Sequence, residues 1–168
     1  KLFNPKKFNK DLIKEKLKLR KDHKYILFSG TPREHKGLEE LLKAIKNINN
    51  DNLKLLLVGG DSQDSFYCKL LSIGENIIVP VGEKDHEVMP EYLSASDMVV
   101  LPQRETLFAN AQVPAKVFEA MAMEKPIIST NISDMKEILD SCGIIIDPIK
   151  NTSELEIKIK LLINDDNL

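Results

Sequence analysis

A doubly wound α/β fold with a six-stranded parallel sheet is what this sequence predicts, and three observations predict it. Six short apolar runs recur along the chain, at 24–29, 53–58, 76–81, 98–101, 126–129 and 143–146. Stretches with apolar residues at helical spacing lie between them, and such alternation builds parallel sheets. The runs are nearly continuous in Ile, Leu and Val, as strands covered on both faces are. With 168 residues, 42% hydrophobic and 30% charged, the chain suits one domain with a full core.

Taken in order, residues 1–22 are polar and basic, with Phe8, Leu12, Ile13 and Leu17 at helical spacing. They predict a short amphipathic lead-in helix, distinct from a domain spanning 23–168. KYILFS at 24–29 is the first strand, and GTPREHK at 30–36 is a Gly/Pro-punctuated loop. The helix over 37–48 carries apolar residues at 38, 41, 42, 45 and 48, a clear stripe. LKLLLV at 53–58 is closed by Gly59 and Gly60, and Asp61 or Ser62 is the expected cap of a helix reaching 73. A strand at 76–81, a loop at 82–85 and a helix at 86–94 follow, then a strand at 98–101.

The stretch 106–113 is uncharged and reads as loop. Pro114 suits the first turn of the next helix, where its missing amide proton has no intrahelical partner. That helix leaves Val117, Phe118, Ala120 and Met121 to pack. A strand at 126–129 comes next, then a helix at 133–139 capped by Ser133 or Asn131. A strand at 143–146 and a helix at 154–163 complete the pattern.

Composition excludes several classes. The net charge of −2 gives no reason to expect nucleic acid. No apolar stretch approaches the ~20 residues of a membrane helix. KLFNPKKFNK at the start has no apolar signal core, so a cytoplasmic location is expected. Cys68 and Cys142 stand apart without a CxxC spacing, which reads as buried free thiols in a reducing compartment. No GxSxG, HExxH, GxxxxGK[ST] or GxGxxG occurs, and no carboxylate cluster suggests a metal.

In a doubly wound sheet ligands bind beyond the carboxyl ends of the strands. The loops there are 30–36, 59–62, 82–86, 102–113 and 130–132. Arg33, His35 and Lys36 stand just before a helix opening at Gly37, where bare backbone can approach a ligand. Cations beside exposed amides suit a diphosphate; the same residues also fit a solvated basic loop. GGDS at 59–62 is a tight turn that presents amides, and His86 reads as a surface histidine near a helix cap. Lys116 and Glu119, three apart, share a helix face. Together they fit an anionic, hydroxyl-bearing ligand, or an ordinary surface salt pair.

The blocks SGTPREHKGLEELLKAI, LKLLLVGG, MPEYLSASDMVVLP, PAKVFEAMAMEKPIIST and EILDSCGIIIDP together resemble the carboxy-terminal half of GT-B-fold glycosyltransferases. The resemblance is to the large retaining group 1, or family four, enzymes, and it spans about residues 24–165. It implies a Rossmann-like domain that holds a nucleoside-diphosphate sugar, UDP- or GDP-linked, as donor substrate, without a prosthetic group or a bound metal. It implies an N-terminal acceptor domain as partner, with peripheral membrane association open for a full-length enzyme acting on a glycan, lipid-linked or envelope precursor. The family's KG motif matches Lys36-Gly37, with the lysine on the donor diphosphate. The glutamate of EAMA matches Glu119, which would accept from the ribose hydroxyls, with Lys116 one turn earlier on ribose or phosphate. Gly30 and Gly60 would lend backbone to the donor.

Two departures stand out. The arginine that often follows the strand-one glycine is Thr31 here, so Arg33 is the expected substitute. The first glutamate of the EX7E pair is Ala111. Glu105 is then the candidate replacement, or the amides of Ala109, Asn110 and Ala111 meet sugar and phosphate. The resemblance also admits an epimerase-like GT-B enzyme, or a nucleotide-binding scaffold that has lost chemistry.

Overall fold

The computed structural model describes residues 1–148 and 152–165; the expected 23–168 domain therefore includes positions outside the described residues. Six strands form one sheet: β1 (Lys24–Ser29), β2 (Leu53–Val58), β3 (Ile78–Gly82), β4 (Met98–Leu101), β5 (Ile127–Thr130) and β6 (Ile144–Ile146). Their order is β3-β2-β1-β4-β5-β6, and every named pairing is parallel. The chain winds outward from β1 in one direction, then restarts beside it at β4. The strand order reverses between β1 and β4, and there the crossovers diverge to opposite sides and leave a crevice. Pro80 lies in β3, an edge strand, where the amide it lacks costs the sheet least.

Side chains alternate across the sheet. Ile26, Phe28, Leu55, Leu57, Met98, Val100 and Ile128 point to one face. That face is covered by α2 (Leu38–Ile48), α3 (Ser65–Ile73) and α8 (Ser153–Ile163) through Leu41, Leu42, Ile45, Leu70, Leu155 and Ile159. Tyr25, Leu27, Leu56, Val58, Val99 and Ile127 point to the other. It is covered by α4 (Met89–Ala95), α6 (Lys116–Ala122) and α7 (Met135–Ile138). α5 (Leu107–Asn110) is a single turn between β4 and α6.

The lead-in segment packs on the same body. α1 (Lys10–Lys16) lies against α4, with Lys10 on Asp97 at 2.8 Å and Lys16 on Glu91 at 2.6 Å. Its phase differs from the expectation: Leu12 is exposed and Lys14 is buried. Lys14 keeps its charge solvated by protein, since Nζ donates to the His23 carbonyl at 2.7 Å and lies over the Tyr25 ring.

Several local expectations are corrected. The cap of α3 is Asp64, whose Oδ1 accepts from Tyr67 N, while Asp61 closes the preceding turn on Gln63 N. α7 starts after Asp134, and no side chain caps it, so neither Ser133 nor Asn131 serves there. α6 begins at Lys116, with Pro114 two residues ahead accepting from Val117 N. Phe118 and Met121 are exposed, because only the Val117–Ala120 face of this short helix meets the sheet. Cys68 and Cys142 are exposed rather than buried. On α3 the inward positions are Tyr67 and Leu70, and Cys68 is rotated about 100° from Tyr67.

Candidate functional site

Two cavities adjoin at the β1/β4 crevice. The larger, about 380 Å³, is walled by Arg33, His35 and Lys36 from the loop after β1 and by Gln103 and Phe108 from the loop after β4. The smaller, about 310 Å³, is walled by Gly59, Glu83, Lys84, His86, Met89 and Glu119. Ser29, Gly30, Thr31 and Lys116 border both.

Gly30 is where the two meet. Its φ is +109°, and a Cβ there would lie 2.7 Å from the Lys116 ammonium. Only glycine lets that cation settle on the backbone end of β1. Lys36 comes from the other side of the crevice, half-buried. Loss of water, then repulsion from Lys116, pushes its pKa below that of an ordinary lysine. The ion pairs found among the described residues include neither lysine. Two cations without a counter-ion therefore border one strand end.

Arg33 is differently placed. Its guanidinium pairs with Asp64 at 2.9 Å on the rim of the crevice, and Asp64 is already held by the amide of Tyr67 at the start of α3. His35 sets its ring edge-on to Phe108, 5.4 Å between centroids, and its buried Nε2 has no partner among the described residues. Desolvation, then Lys36 and Arg33, lowers the His35 pKa, which favours a neutral imidazole. Gln103 is only 7% exposed, yet its side-chain amide makes no hydrogen bond among the described residues. It lines the larger cavity as a donor and acceptor in waiting.

On the smaller cavity, Glu119 Oε1 lies 3.0 Å from His86 Nε2. An ionised carboxylate only accepts, so the imidazole N–H donates. The Glu119 side chain is 20% exposed and the His86 side chain 60%. His86 lies on the surface as expected, but paired with a candidate ligand-binding carboxylate.

The structure thus brings Gly30, Lys36, Lys116 and Glu119 around one crevice. Other expected residues lie elsewhere. Glu105 is exposed and lines neither cavity. The amides of Ala109, Asn110 and Ala111 are spent within the α5 turn, on Thr106 Oγ1, Thr106 O and Phe108 O. The Asn110 side chain accepts from Ser133 N at 3.3 Å. Gly60 packs against the Tyr67 ring, while Gly59 lines the cavity. Gly37 is buried with φ +69°, and a Cβ there would overlap the carbonyl of Pro102. The close approach it permits is to its own chain. Among the described residues no group of three or more His, Cys, Asp or Glu lies together as a metal site, and no helix is long and apolar enough to cross a membrane.

Sequence reasoning did not single out Gln103 or Phe108. The buried amide follows from Thr130 Oγ1 donating to the Gln103 carbonyl at 2.9 Å, which turns the chain in after β4. Nothing in the polar run Gln103-Arg104-Glu105-Thr106 singles out its first residue as the buried one.

Comparison with known proteins bears on this arrangement. The family model described as "Glycosyl transferases group 1" matches residues 9–168. A glycosyltransferase of Methanocaldococcus jannaschii, MJ1178, is 30% identical over 156 residues, covering 88% of this chain and 40% of its own length. The alpha-D-kanosaminyltransferase of Streptomyces kanamyceticus is 21% identical, covering 88% and 38% respectively. Among solved structures, Anabaena HepE, in complex with UDP-glucose, superposes with a TM-score of 0.81 at 18% identity, over 99% of this chain and 46% of its own. The C-terminal domain of the Francisella tularensis group 1 protein LpcC gives 0.78 at 22% identity, over 99% and 87%. This chain spans about two fifths of the length of those two curated relatives.

Proposed function

This chain belongs to the glycosyl transferases group 1 family, and from that premise we propose that it binds a nucleoside-diphosphate sugar as the donor of a glycosyl transfer. The observation that carries the reading is the uncompensated pair Lys36 and Lys116 beside the bare backbone of Gly30. A diphosphate supplies the charge that both lysines lack. It also gains negative charge as the glycosyl–oxygen bond breaks, and fixed cations stabilise that charge without reorganising. Glu119 is the acceptor for the ribose hydroxyls, a task suited to a carboxylate with two oxygens. The nucleoside then occupies the smaller cavity. The sugar occupies the larger one, facing the amide of Gln103 and the imidazole of His35.

HepE was crystallised with UDP-glucose and with UDP, so a UDP-sugar is the first donor to test, with a GDP-sugar second. Transfer with retention, and an acceptor held by a separate N-terminal domain, belong to the same proposal. Among the described residues no carboxylate lines the larger cavity, where the sugar is placed. A retaining transfer would then use attack from the face the diphosphate leaves, its oxygen taking the acceptor proton. Closure of the acceptor domain would exclude water from that step.

Calorimetric titration of the 168-residue chain with UDP and GDP tests the reading. Lys116→Ala and Glu119→Ala should each weaken binding about tenfold or more, the worth of one charge-assisted hydrogen bond. Absence of binding by the unmodified chain to either nucleotide would sink it.

One observation favours a second reading. Among the described residues the larger cavity is lined by no Asp or Glu, which fits a nucleotide-binding module that no longer transfers sugar. Sugar transfer by the full-length protein, lost on Lys36→Ala, would decide against it.

A further inference from the structure

Phe3, far away in the chain, packs against His86, a wall residue of the smaller cavity. Its ring lies 5.2 Å from the His86 imidazole, tilted by 53°. The other face of that contact is the hydrogen bond from His86 Nε2 to Glu119 at 3.0 Å. These are the aromatic and hydrogen-bond contacts of the His86 ring among the described residues. The ring is otherwise open to water and stands on a short 3₁₀ turn, His86–Val88, just before α4. Phe3 itself is anchored. It packs into the apolar face that includes Phe8, Met89 and Tyr92, and α1 behind it is tied to the body through Lys10–Asp97 and Lys16–Glu91. On Glu119, Oε1 is engaged by His86 and no hydrogen bond to Oε2 is found among the described residues.

We propose that Phe3 and His86 are positioning residues for the nucleoside. Phe3 holds the imidazole, and the imidazole holds the Glu119 carboxylate in the orientation that takes the ribose diol. A glutamate ordered before the ligand arrives loses less freedom on binding, so affinity rises without any new contact to ligand. The inference rests on the reading of Glu119 as the ribose acceptor. It makes the lead-in segment a working part of the donor site rather than a tether.

The test is a double-mutant cycle read with three ligands: UDP, 2′,3′-dideoxy-UDP and inorganic pyrophosphate. Phe3→Ala should weaken UDP about two- to tenfold, the range of an aromatic pair. It should leave pyrophosphate and the dideoxy compound unchanged, since neither offers a ribose diol. In a His86→Ala background the same change should cost nothing further. Phe3→Tyr, which keeps the ring, should bind UDP like the unmodified chain. Phe3→Leu, which keeps apolar packing, should behave like Phe3→Ala. An unchanged UDP affinity, an equal loss for pyrophosphate, or an additive double mutant would each overturn the inference. If the unmodified chain binds UDP no better than dideoxy-UDP, the ribose role of Glu119 fails and this inference fails with it. UDP preferred over dideoxy-UDP but indifferent to Phe3 would leave that role standing and remove only the relay.

Discussion

The backbone amide of Arg104 donates to the carbonyl oxygen of His35 at 2.8 Å. That bond stitches the loop after β4 to the loop after β1 where the sheet reverses. The Arg104 side chain doubles the stitch, with Nε on Glu40 at 2.7 Å and Nη2 on Glu39 at 2.9 Å. Both glutamates lie in the first turn of α2, and Glu39 also takes Lys69. Arg104, which touches no proposed ligand atom, therefore joins the two walls of the larger cavity, beside the His35–Phe108 ring contact and the Gly37–Pro102 packing.

Arg104→Ala should lower unfolding stability by about 1–3 kcal/mol, the cost of stranding charged partners. Glu40 is the reason for the upper part of that range: among the described residues its buried Oε2 has no partner, and Oε1 would lose its hydrogen bond to Arg104. Urea unfolding reads the change. Arg104→Lys should recover only part of it, because an ammonium cannot reproduce the planar two-pronged fork. An unchanged midpoint in Arg104→Ala would mean that the backbone bond and the Gly37–Pro102 packing hold the loops alone.

Lys36 gives the pH dependence of donor binding a definite sign. Desolvation and then Lys116 hold its pKa below the usual 10.5 in the free protein, and a bound diphosphate would push it back up. At pH below the depressed value the lysine is charged with or without ligand, and no proton moves. Above that value the free protein has lost the proton, and binding must take one up. Affinity for UDP should therefore fall with rising pH, beginning below the range of an ordinary lysine. Titrations at a series of pH values up to 10.5, in pairs of buffers of different ionisation enthalpy, measure the uptake. Lys36→Arg, which stays charged, should take up fewer protons; equal uptake would assign the effect to another group.

Much of this was legible in the sequence, and the misses have physical causes. β1, β2 and β4 fall where continuous apolar runs end at glycine, proline or polar turns. Buried parallel strands leave little else for such runs to be. The strand ends in turn placed Gly30, Lys36, Lys116 and Glu119 at one sheet edge. The turn of α5 reads as loop because its cap, Thr106 Oγ1 on Ala109 N, is one hydroxyl in an uncharged stretch. The sequence leaves Phe118 and Met121 free to pack inward because KVFEAMA is apolar around most of its circumference, so spacing gives no phase. The contacts His86–Glu119 and Phe3–His86 join residues far apart in the chain, and no local pattern encodes them. The motif ties Gly37 to a ligand, whereas its positive φ and its approach to the Pro102 carbonyl already require glycine there.

Lys125 supplies a stability signal independent of the site. Its Nζ donates to the carbonyls of Ser94 and Ser96, at 3.1 and 2.9 Å, closing the carboxyl end of α4. Burial pushes its pKa down to about 8, with Lys10 and Lys14 adding to the effect and Asp97 opposing it. Folding therefore disfavours the charged form. Between about pH 8 and 10.5 the unfolded chain holds more protons at this site than the folded one, so the Lys125 contribution to stability rises with pH there. At about 1.4 kcal/mol per pKa unit the gain across that window is of the order of a few kcal/mol. Tyr25, Tyr67 and Tyr92, held above their usual pKa by burial, run the opposite way at higher pH, so a single protein's profile mixes the two. The difference between the unmodified chain and Lys125→Met cancels the tyrosines. Loss of the Ser94 and Ser96 bonds offsets that difference by a constant. Urea unfolding at pH 7, 8, 9 and 10 should show the difference growing with pH, and parallel profiles would mean that Lys125 titrates as a solvated lysine.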